Sequence, residues 1–460
     1  MKTLLEPLSL ALFVAATLPT QNACNQTSPS SSPPTQTAHT QTSPPSDTIP
    51  AIGPSSHFCK AIGGPESEEG HSLIQTSDGG YAIAGYTKSF GAGGYDVYVV
   101  KLDAKGNLQW TKTIGGPEIE AGKSLIQTSD GGYAIAGYTT SFGAGYRDVY
   151  VVKLDAKGNL QWTKTIGGPG TEEGRSLIQT SDGGYAIAGY TESFGAGEWD
   201  VYVVKLDAKG NLQWTKTISG GPWDVGNSLI QTSDGGYVIA GFTFDVYVVK
   251  LDAKGNLQWT KTIGGPEPEE GSSLIQTSDG GYAIAGFTIS FGAGGNDVYV
   301  VKLDAHGNLQ WTKTIGGSAV EGSSSLIQTS DGGYAIAGLT NSFGAGDYDV
   351  YVVKLDAKGN LQWTKTIGGP GGDWGHSLIQ TSDGGYVIAG STSSFGAGGA
   401  NVYVVKLDKN GDACCAVSQT SQVGSGGRLG SATPSIGSGG TLTSPTPTTS
   451  SGGTLTNQCP

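Results

Sequence analysis

Apolar and polar residues follow each other along most of the chain in short runs that are separated by glycine-rich turns. Residues 81–85 alternate large and small side chains, residues 96–100 are apolar on both faces after the first position, and residues 108–111 alternate apolar with polar positions. Short runs bounded by turn residues are typical of β-strands. The pattern therefore predicts an all-β chain in which residues 96–103 are covered on both sides and residues 108–114 form an outermost strand with one wet face.

This pattern recurs seven times. The string SLIQTSDGG begins at Ser72, Ser124, Ser176, Ser228, Ser273, Ser325 and Ser377, at intervals of 52 residues except for one of 45. Each copy holds four strand-like runs, and the turns SDGG and AKGN favour tight hairpins because glycine accepts a positive φ. Hairpins join antiparallel strands, so each copy is predicted to be a four-stranded meander. Repeats of this length favour a seven-bladed β-propeller.

The last blade is predicted to take its outer strand from the start of the chain. The seventh copy lacks the tryptophan-containing strand, whereas residues 58–66 match residues 110–118 at an offset of 52. An N-terminal strand in this place closes the ring and removes an exposed sheet edge. It also brings Cys59 towards Cys414 or Cys415, where a disulfide bridge would hold the ring shut.

The repeated strings resemble those of known propeller families. GGYAIAGYT, DVYVVKLD and QWTK resemble kelch-type repeats, while KLDAKGNLQW is similar to the tryptophan motif of quinoprotein-like (PQQ-type) propellers and, more loosely, to the Asp-box turn of sialidases. The resemblance covers residues 58–415 and implies a propeller, but propellers host enzymes, scaffolds and lectins alike. Quinoprotein dehydrogenases usually have eight blades and dedicated cofactor ligands. The sequence shows neither, so we predict no cofactor.

The two ends of the chain differ from the repeats. Residues 1–23 have the charged start and apolar run of an export signal, and Cys24 resembles the acceptor cysteine of a bacterial lipoprotein, with cleavage after Ala16 as the alternative. Residues 24–57 are predicted to be a Ser/Thr/Pro-rich linker and residues 416–460 a disordered Gly/Ser/Thr-rich tail. We therefore expect an exported monomer that is either secreted or held by lipid at the cell surface or in the periplasm.

Composition argues against a nucleic-acid partner and shows where the many glycines lie. The net charge is −13, from 26 basic and 39 acidic residues, so the chain lacks the basic footprint of a nucleic-acid binder. Many of the 77 glycines stand at fixed positions in the repeated turns. The five cysteines all lie outside the seven copies, which favours disulfides in an exported chain. The only membrane attachment predicted is lipid on Cys24.

Variation among the copies falls mainly in two loops, which a four-stranded meander places on one side of the ring. These are the loop between the outer strand and the next inner strand, and the loop between the second and third strands; together they form what we call the loop face. A repeated scaffold with diversified loops on one face favours recognition there. Drift in unconstrained loops is the alternative.

The loop face holds three sets of candidate residues. The first set is aromatic: Tyr95, Tyr146, Trp199, Trp223, Phe244, Tyr348 and Trp374. The second set, the residue before each SLIQ string, forms a ring near the axis, in which His376, His71, Lys123 and Arg175 make a basic arc beside Asn227, Ser272 and Ser324. The third set consists of carboxylates before each inner strand: Glu66, Glu68, Glu69, Glu118, Glu120, Glu172, Glu173, Asp224, Glu267, Glu269, Glu270, Glu321 and Asp373.

These residues favour an exported or surface-tethered binding module that recognises an extracellular glycan or protein on its loop face. The main alternative is a polysaccharide hydrolase or lyase that uses two rim carboxylates, but the sequence singles out no pair, so no catalytic residue is predicted and a protein without catalysis is favoured. A quinoprotein dehydrogenase and a purely structural surface protein are further alternatives. His71 and His376 are residues of a type that binds metal ions. No nearby cysteine and no fixed spacing of acidic residues supports a metal site, so no metal is predicted.

Overall fold

The computed structural model of the chain describes residues 57–413 and seven short strands between residues 416 and 457. These residues form strands and turns without helices. Accordingly, the described part of the chain offers no helix of the length and apolarity that a membrane crossing needs. The predicted signal peptide, Cys24 and nearly all of the predicted linker fall on residues 1–56, outside the described residues.

Twenty-eight strands make up the repeated part of the fold. In chain order they are β1 Phe58–Gly63, β2 Glu68–Gln75, β3 Tyr81–Thr87, β4 Asp96–Leu102, β5 Leu108–Gly115, β6 Glu120–Gln127, β7 Tyr133–Thr139, β8 Asp148–Leu154, β9 Leu160–Gly167, β10 Glu172–Gln179, β11 Tyr185–Thr191, β12 Asp200–Leu206, β13 Leu212–Ser219, β14 Val225–Gln231, β15 Tyr237–Thr243, β16 Asp245–Leu251, β17 Leu257–Gly264, β18 Glu269–Gln276, β19 Tyr282–Thr288, β20 Asp297–Leu303, β21 Leu309–Gly316, β22 Glu321–Gln328, β23 Tyr334–Thr340, β24 Asp349–Leu355, β25 Leu361–Ile367, β26 Asp373–Gln380, β27 Tyr386–Thr392 and β28 Asn401–Leu407.

The strands form seven antiparallel sheets. Blade 1 consists of β2 to β5 and blades 2 to 6 repeat this order, while blade 7 consists of β26, β27, β28 and β1. Consecutive strands of a blade are hydrogen-bonded to each other. Tyr81 of β3, for example, pairs with Gln75 of β2 and with Leu102 of β4. Gly79 in the SDGG turn has φ 82, which is the conformation the turn was expected to need. The predicted seven-bladed propeller with four-stranded antiparallel blades is confirmed.

The hydrophobic core lies between neighbouring blades rather than within any one of them. Ala82 and Ala84 of blade 1 face Tyr133 and Ile135 of blade 2, so the small residues of one sheet receive the large residues of the next. On the outer strand, Trp110 contacts Tyr133 edge-on with ring centroids 5.8 Å apart. Burying an aromatic side chain contributes on the order of 2–3 kcal/mol, so each junction is a substantial source of stability.

The ring closes through the start of the described chain, as predicted. Strand β1 pairs antiparallel with β28, where Cys59 lies opposite Val405. Phe58 takes the place that tryptophan has in the other blades and packs on Tyr81 at 6.1 Å. Cys59 is completely buried. Cys414 and Cys415 lie outside the described residues, so the bridge to one of them stays a prediction.

The C-terminal segment differs from the disordered tail that the sequence predicts. Seven pieces of it are strands: β29 Ala416–Ser418, β30 Gln422–Gly424, β31 Arg428–Gly430, β32 Ser435–Gly437, β33 Thr441–Thr443, β34 Thr448–Ser450 and β35 Thr454–Asn457. They pair with the outer strands of blades 6, 5, 4, 3, 2, 1 and 7 in turn, each as a fifth strand. Outer strands present unpaired backbone groups with which an added strand can pair. In six of the seven pairings an apolar residue of the tail lies opposite the isoleucine of the outer strand, as Leu429 lies opposite Ile263.

Candidate functional site on the loop face and at the channel mouth

The carboxylates that begin the inner strands are structural. Glu68 is fully buried, and its oxygens accept hydrogen bonds from the Gly64 amide at 2.7 Å and the Thr87 hydroxyl at 2.8 Å. The same buried position is held by Glu120, Glu172, Asp224, Glu269, Glu321 and Asp373. These groups tie the loops of each junction together. They cannot reach a ligand, which removes seven carboxylates from the predicted rim set.

A second buried acid faces this first one across most junctions. Asp96 of blade 1 and Glu120 of blade 2 both border Gly115, where an added Cβ would collide with both carboxylates. Burial, with a contribution from Glu120, raises the pKa of Asp96 to about 6. The other such pairs are Asp148 with Glu172, Asp200 with Asp224, Asp245 with Glu269, Asp297 with Glu321 and Asp349 with Asp373. At the junction of blades 7 and 1, Asn401 faces Glu68.

The ring of residues before the SLIQ strings is set by a β-bulge. In blade 1, Gly70 pairs with Gly85 and Ser72 with Ala84, so His71 is the extra residue of the inner strand. The same register shift occurs in all seven inner strands. A bulge re-aims the side chain at the extra position and is common beside functional sites. The structure thus gives each blade one re-aimed residue near the axis.

The structure brings the predicted arc together but adds acids to it. The rings of His71 and His376 lie 5.1 Å apart, and the Lys123 Nζ is 3.5 Å from the His71 Nε2. Arg175 donates to the Asn227 Oδ1 at 2.8 Å. Glu69 approaches His71 at 3.8 Å, and elsewhere in the ring Glu173 pairs with Arg175 at 3.3 Å and Glu270 accepts from Asn227 at 3.0 Å. The arc is therefore a mixed network of charges rather than a basic surface.

Burial dominates the ionisation of this network. It lowers the pKa of His71 well below its ordinary value, with help from Lys123, and it lowers the pKa of His376 and of Lys123. Burial also raises the pKa of Glu270 to about 7, although Arg175 opposes the rise. At neutral pH both imidazoles are therefore uncharged.

Within the described residues, one cluster has the composition and spacing to hold a metal ion. The ligand atoms of Glu69, His71 and His376 all lie within 4.8 Å of one another. Two of these residues belong to blade 1 and the third to blade 7. Ring closure predicts His71 and His376 as neighbours although they are 305 positions apart, but the sequence does not indicate that the Glu69 carboxylate approaches them.

The predicted aromatic residues divide into two groups. Tyr146, Trp223 and Phe244 are exposed, at 81%, 48% and 51% of their surface. The others are half-buried against aromatic neighbours: Tyr95 packs on Tyr86 at 4.9 Å, Trp199 on Tyr190 at 4.9 Å, and Tyr348 and Trp374 on each other at 6.3 Å. Trp199 and Trp223 also meet through a β-bridge between the two loops of their junction.

One further exposed apolar residue lies on this face. Ile289 is 43% exposed, and with Tyr146, Trp223 and Phe244 it completes the large exposed hydrophobic side chains of the described chain. Aligning the copies could have found Ile289, because the position after the second strand is polar in the other blades except blade 4, where Phe244 stands: Lys88, Thr140, Glu192, Asn341 and Ser393.

The fold and its repeats define a PQQ-type β-propeller. A family model described as outer membrane protein assembly factor BamB matches residues 96–330, just over half of the sequence, and the chain belongs to this family. The match supports the quinoprotein-like resemblance. The kelch resemblance and the lipoprotein type stay predictions.

Individual proteins match less well. The chain is 29% identical over 166 residues to the regulatory protein FlaEY of Caulobacter vibrioides, an alignment that covers 31% of this chain and 17% of FlaEY. The WD40 domain of Neurospora crassa Pan2 is similar with a TM-score of 0.47 and 13% identity, over 75% of this chain and 89% of that one. Sqt1 from Chaetomium thermophilum gives a TM-score of 0.43 and 14% identity, over 72% and 81%.

Proposed function

We propose that this protein is an exported propeller that binds a protein ligand on its loop face. Propellers of its family commonly mediate binding, and the family description names an outer membrane assembly factor, which supports an envelope location. The proposal narrows the sequence-based alternatives of a glycan or a protein ligand. It rests on a patch of apolar residues in four consecutive blades.

The patch follows the ring from blade 2 to blade 5. Tyr146 lies in the loop of blade 2, Trp223 between blades 3 and 4, Phe244 in the loop of blade 4 and Ile289 in that of blade 5. Scattered apolar residues are normal on a protein surface, but large ones gathered on one face usually serve recognition. Aromatic residues of this kind also supply most binding energy in protein interfaces.

Phe244 carries the proposal. It has φ 78 and is the one non-glycine residue with a positive φ in the described chain. Its neighbours Thr243 and Asp245 pair with each other, so Phe244 stands at the tip of the shortened blade 4 hairpin. A bulky residue in this conformation costs on the order of 1–3 kcal/mol. Because glycine or asparagine would suit the turn better, the exposed phenyl ring has a use outside the fold.

The chemistry of the patch favours a polypeptide over a sugar. Phe244 and Ile289 have no hydrogen-bonding group for sugar hydroxyls. One face of the Trp199 ring is covered by Tyr190, and its Nε1 donates to the Glu192 carboxylate at 2.8 Å. A partner with apolar side chains beside basic ones would complement this mixture of aromatic rings and carboxylates.

Panning a displayed random-peptide library on the full-length chain tests the proposal. Selected peptides should bind Phe244→Asn at least about tenfold more weakly than the native protein, which corresponds to about 1.4 kcal/mol. Trp223→Ala should weaken them further. Phe244→Asn relieves the turn, so its thermal midpoint should equal or exceed that of the native protein, and lost binding cannot then be ascribed to misfolding.

The same panel of variants decides between the alternatives. Equal peptide binding by the native protein, Phe244→Asn and Trp223→Ala would refute the proposed face. A glycan array that retains the native protein and loses Trp223→Ala would replace the protein ligand with a sugar. Release of reducing ends from bound polysaccharide would establish the hydrolase.

A further inference from the structure

Three potential metal ligands from the first and last blades meet where the ring closes. Glu69 and His71 belong to the inner strand β2, and His376 belongs to β26. Their ligand atoms lie within 4.8 Å of one another. The side chains of His71 and Glu69 are 14% and 21% exposed, so the cluster is sheltered but keeps some access to solvent.

His376 gives the cluster a ring nitrogen that is free to bind a ligand. Its Nε2 is buried and has no hydrogen-bond partner among the described residues. A buried polar atom left without a partner costs about 1–3 kcal/mol, so such atoms normally bind something. Glu69 and the ring of His71 are the groups nearest to it that could share a ligand.

Two imidazoles and one carboxylate are a ligand set that zinc prefers. Zn²⁺ binds nitrogen and carboxylate oxygen at about 2.0–2.2 Å, and open sites use three protein ligands with water in the fourth position. A tetrahedron of that size sets ligand atoms about 3.3–3.6 Å apart, so a contraction on the order of 1 Å would complete the site. We propose that Glu69, His71 and His376 bind one Zn²⁺ ion at the mouth of the central channel.

Neighbouring side chains both support and oppose this site. Tyr86 packs on His71 with ring centroids 5.5 Å apart, an arrangement that orients one of the ligands. The Lys123 Nζ lies 3.5 Å from the His71 Nε2 and competes with a cation for the same nitrogen. Zinc binding therefore requires the Lys123 side chain to move away from the His71 Nε2. Replacing this lysine should consequently strengthen zinc binding.

Zinc titration of the metal-stripped full-length protein tests the proposal by calorimetry. The native protein should bind one Zn²⁺, and both His71→Ala and His376→Ala should lose more affinity than the about 10–100-fold that removal of an outer-shell partner costs. His306→Ala is the matched control. His306 lies in an exposed turn of blade 5, so its loss should change nothing.

Lys123→Met provides a second test that keeps all three ligands. Zinc affinity should rise by about tenfold, because the competing ammonium is gone while the imidazoles and the carboxylate remain. Zinc should also raise the thermal midpoint of the native protein and of Lys123→Met, since a ligand that binds the folded state stabilises it. No stoichiometric binding to the native protein, or equal binding by native protein and His376→Ala, would overturn the proposal.

Discussion

Six junctions between blades follow one design, and the junction between blades 7 and 1 departs from it. Each of the six pairs an aspartate, buried in five of them and half-buried at Asp245, with a second, buried carboxylate, whereas Asn401 faces Glu68 at the seventh. The six also place tryptophan on the outer strand, where the seventh has Phe58. The chain crosses this junction from β1 to β2 as it crosses the others, but blade 7 is the one blade not built from four consecutive strands, because its outer strand β1 comes from the other end of the repeats.

The difference shows where the fold accepts electrostatic strain. Two carboxylates at one junction repel each other, but in blades 1 to 6 a hairpin ties the strand that carries the aspartate to the outer strand of its blade. In blade 7 no hairpin joins β28 to β1, so strand pairing holds them, and there the repulsive pair is replaced by the neutral amide of Asn401 beside one acid. Other links lie near the closure: Cys59 is buried between blades 6 and 7, β35 pairs with β1 in blade 7, and His71 contacts His376 between blades 7 and 1.

The largest expected effect comes from removing the closing strand. Deletion of residues 58–63 should expose the edge of β28, abolish cooperative unfolding and promote aggregation, because an open sheet edge pairs with other chains. Calorimetry and light scattering measure both effects. As a control, replacement of these residues by residues 110–115, the matching outer-strand sequence WTKTIG, should restore a cooperative transition. If the deletion variant melted like the native protein, closure by β1 would not matter for stability.

The predicted bridge of Cys59 should have the next largest effect. Cys59→Ser, produced under oxidising conditions, should lose up to roughly 5 kcal/mol of unfolding free energy, which is the chain-entropy estimate for so long a loop. Reductant should lower the native protein to the same level and leave the variant unchanged. Peptide mapping without reductant should recover Cys59 joined to Cys414 or Cys415. Recovery of Cys59 as a free thiol would exclude the bridge.

The repeats made most of the fold predictable, and the departures have physical reasons. Copy comparison located the strands, the loop face and closure by residues 58–63, because each follows from side-chain pattern and offset. The bulge at His71 could not be seen, since a bulge is a property of pairing between two strands. Nor could the burial of Glu68, because a loop glutamate is usually solvated and its hydrogen-bond partners come from distant positions. The fifth strands have a weak signal that could have been found: the residues opposite the isoleucines of the outer strands recur every six or seven positions of the tail and are apolar in six of seven strands, from Ala416 to Leu455.

Restoring a pair of acids at the closing junction, by Asn401→Asp, should lower stability in a pH-dependent way. By analogy with Asp96, whose pKa burial raises to about 6, Asn401→Asp would introduce an acid that is easier to protonate in the folded protein. The folded state then binds more protons than the unfolded state between about pH 4 and 6, so stability falls as pH rises through this window. The loss should be about 1–3 kcal/mol at pH 7 and small near pH 4. A pH-independent loss would mean that only the hydrogen bonds of Asn401 matter.

Removing one acid of the pair at the junction of blades 4 and 5, by Asp245→Asn, should have the smallest effect on stability and should raise it. Burial raises the pKa of Asp245, with a further rise from Glu269, and the buried Oδ1 of Asp245 has no hydrogen-bond partner among the described residues. Blade 4 lacks the long loop whose amides bind the equivalent acid Asp96 in blade 1. Asp245→Asn therefore removes repulsion without losing such bonds, and should raise the thermal midpoint at pH 7 by a few degrees but not at pH 4. Asp96→Asn is the comparison, because it relieves the same repulsion while disturbing its loop, so its gain should be smaller than that of Asp245→Asn. Destabilisation by Asp245→Asn at pH 7 would show that the paired acids stabilise their junctions, and the contrast with the closing junction would then need another cause.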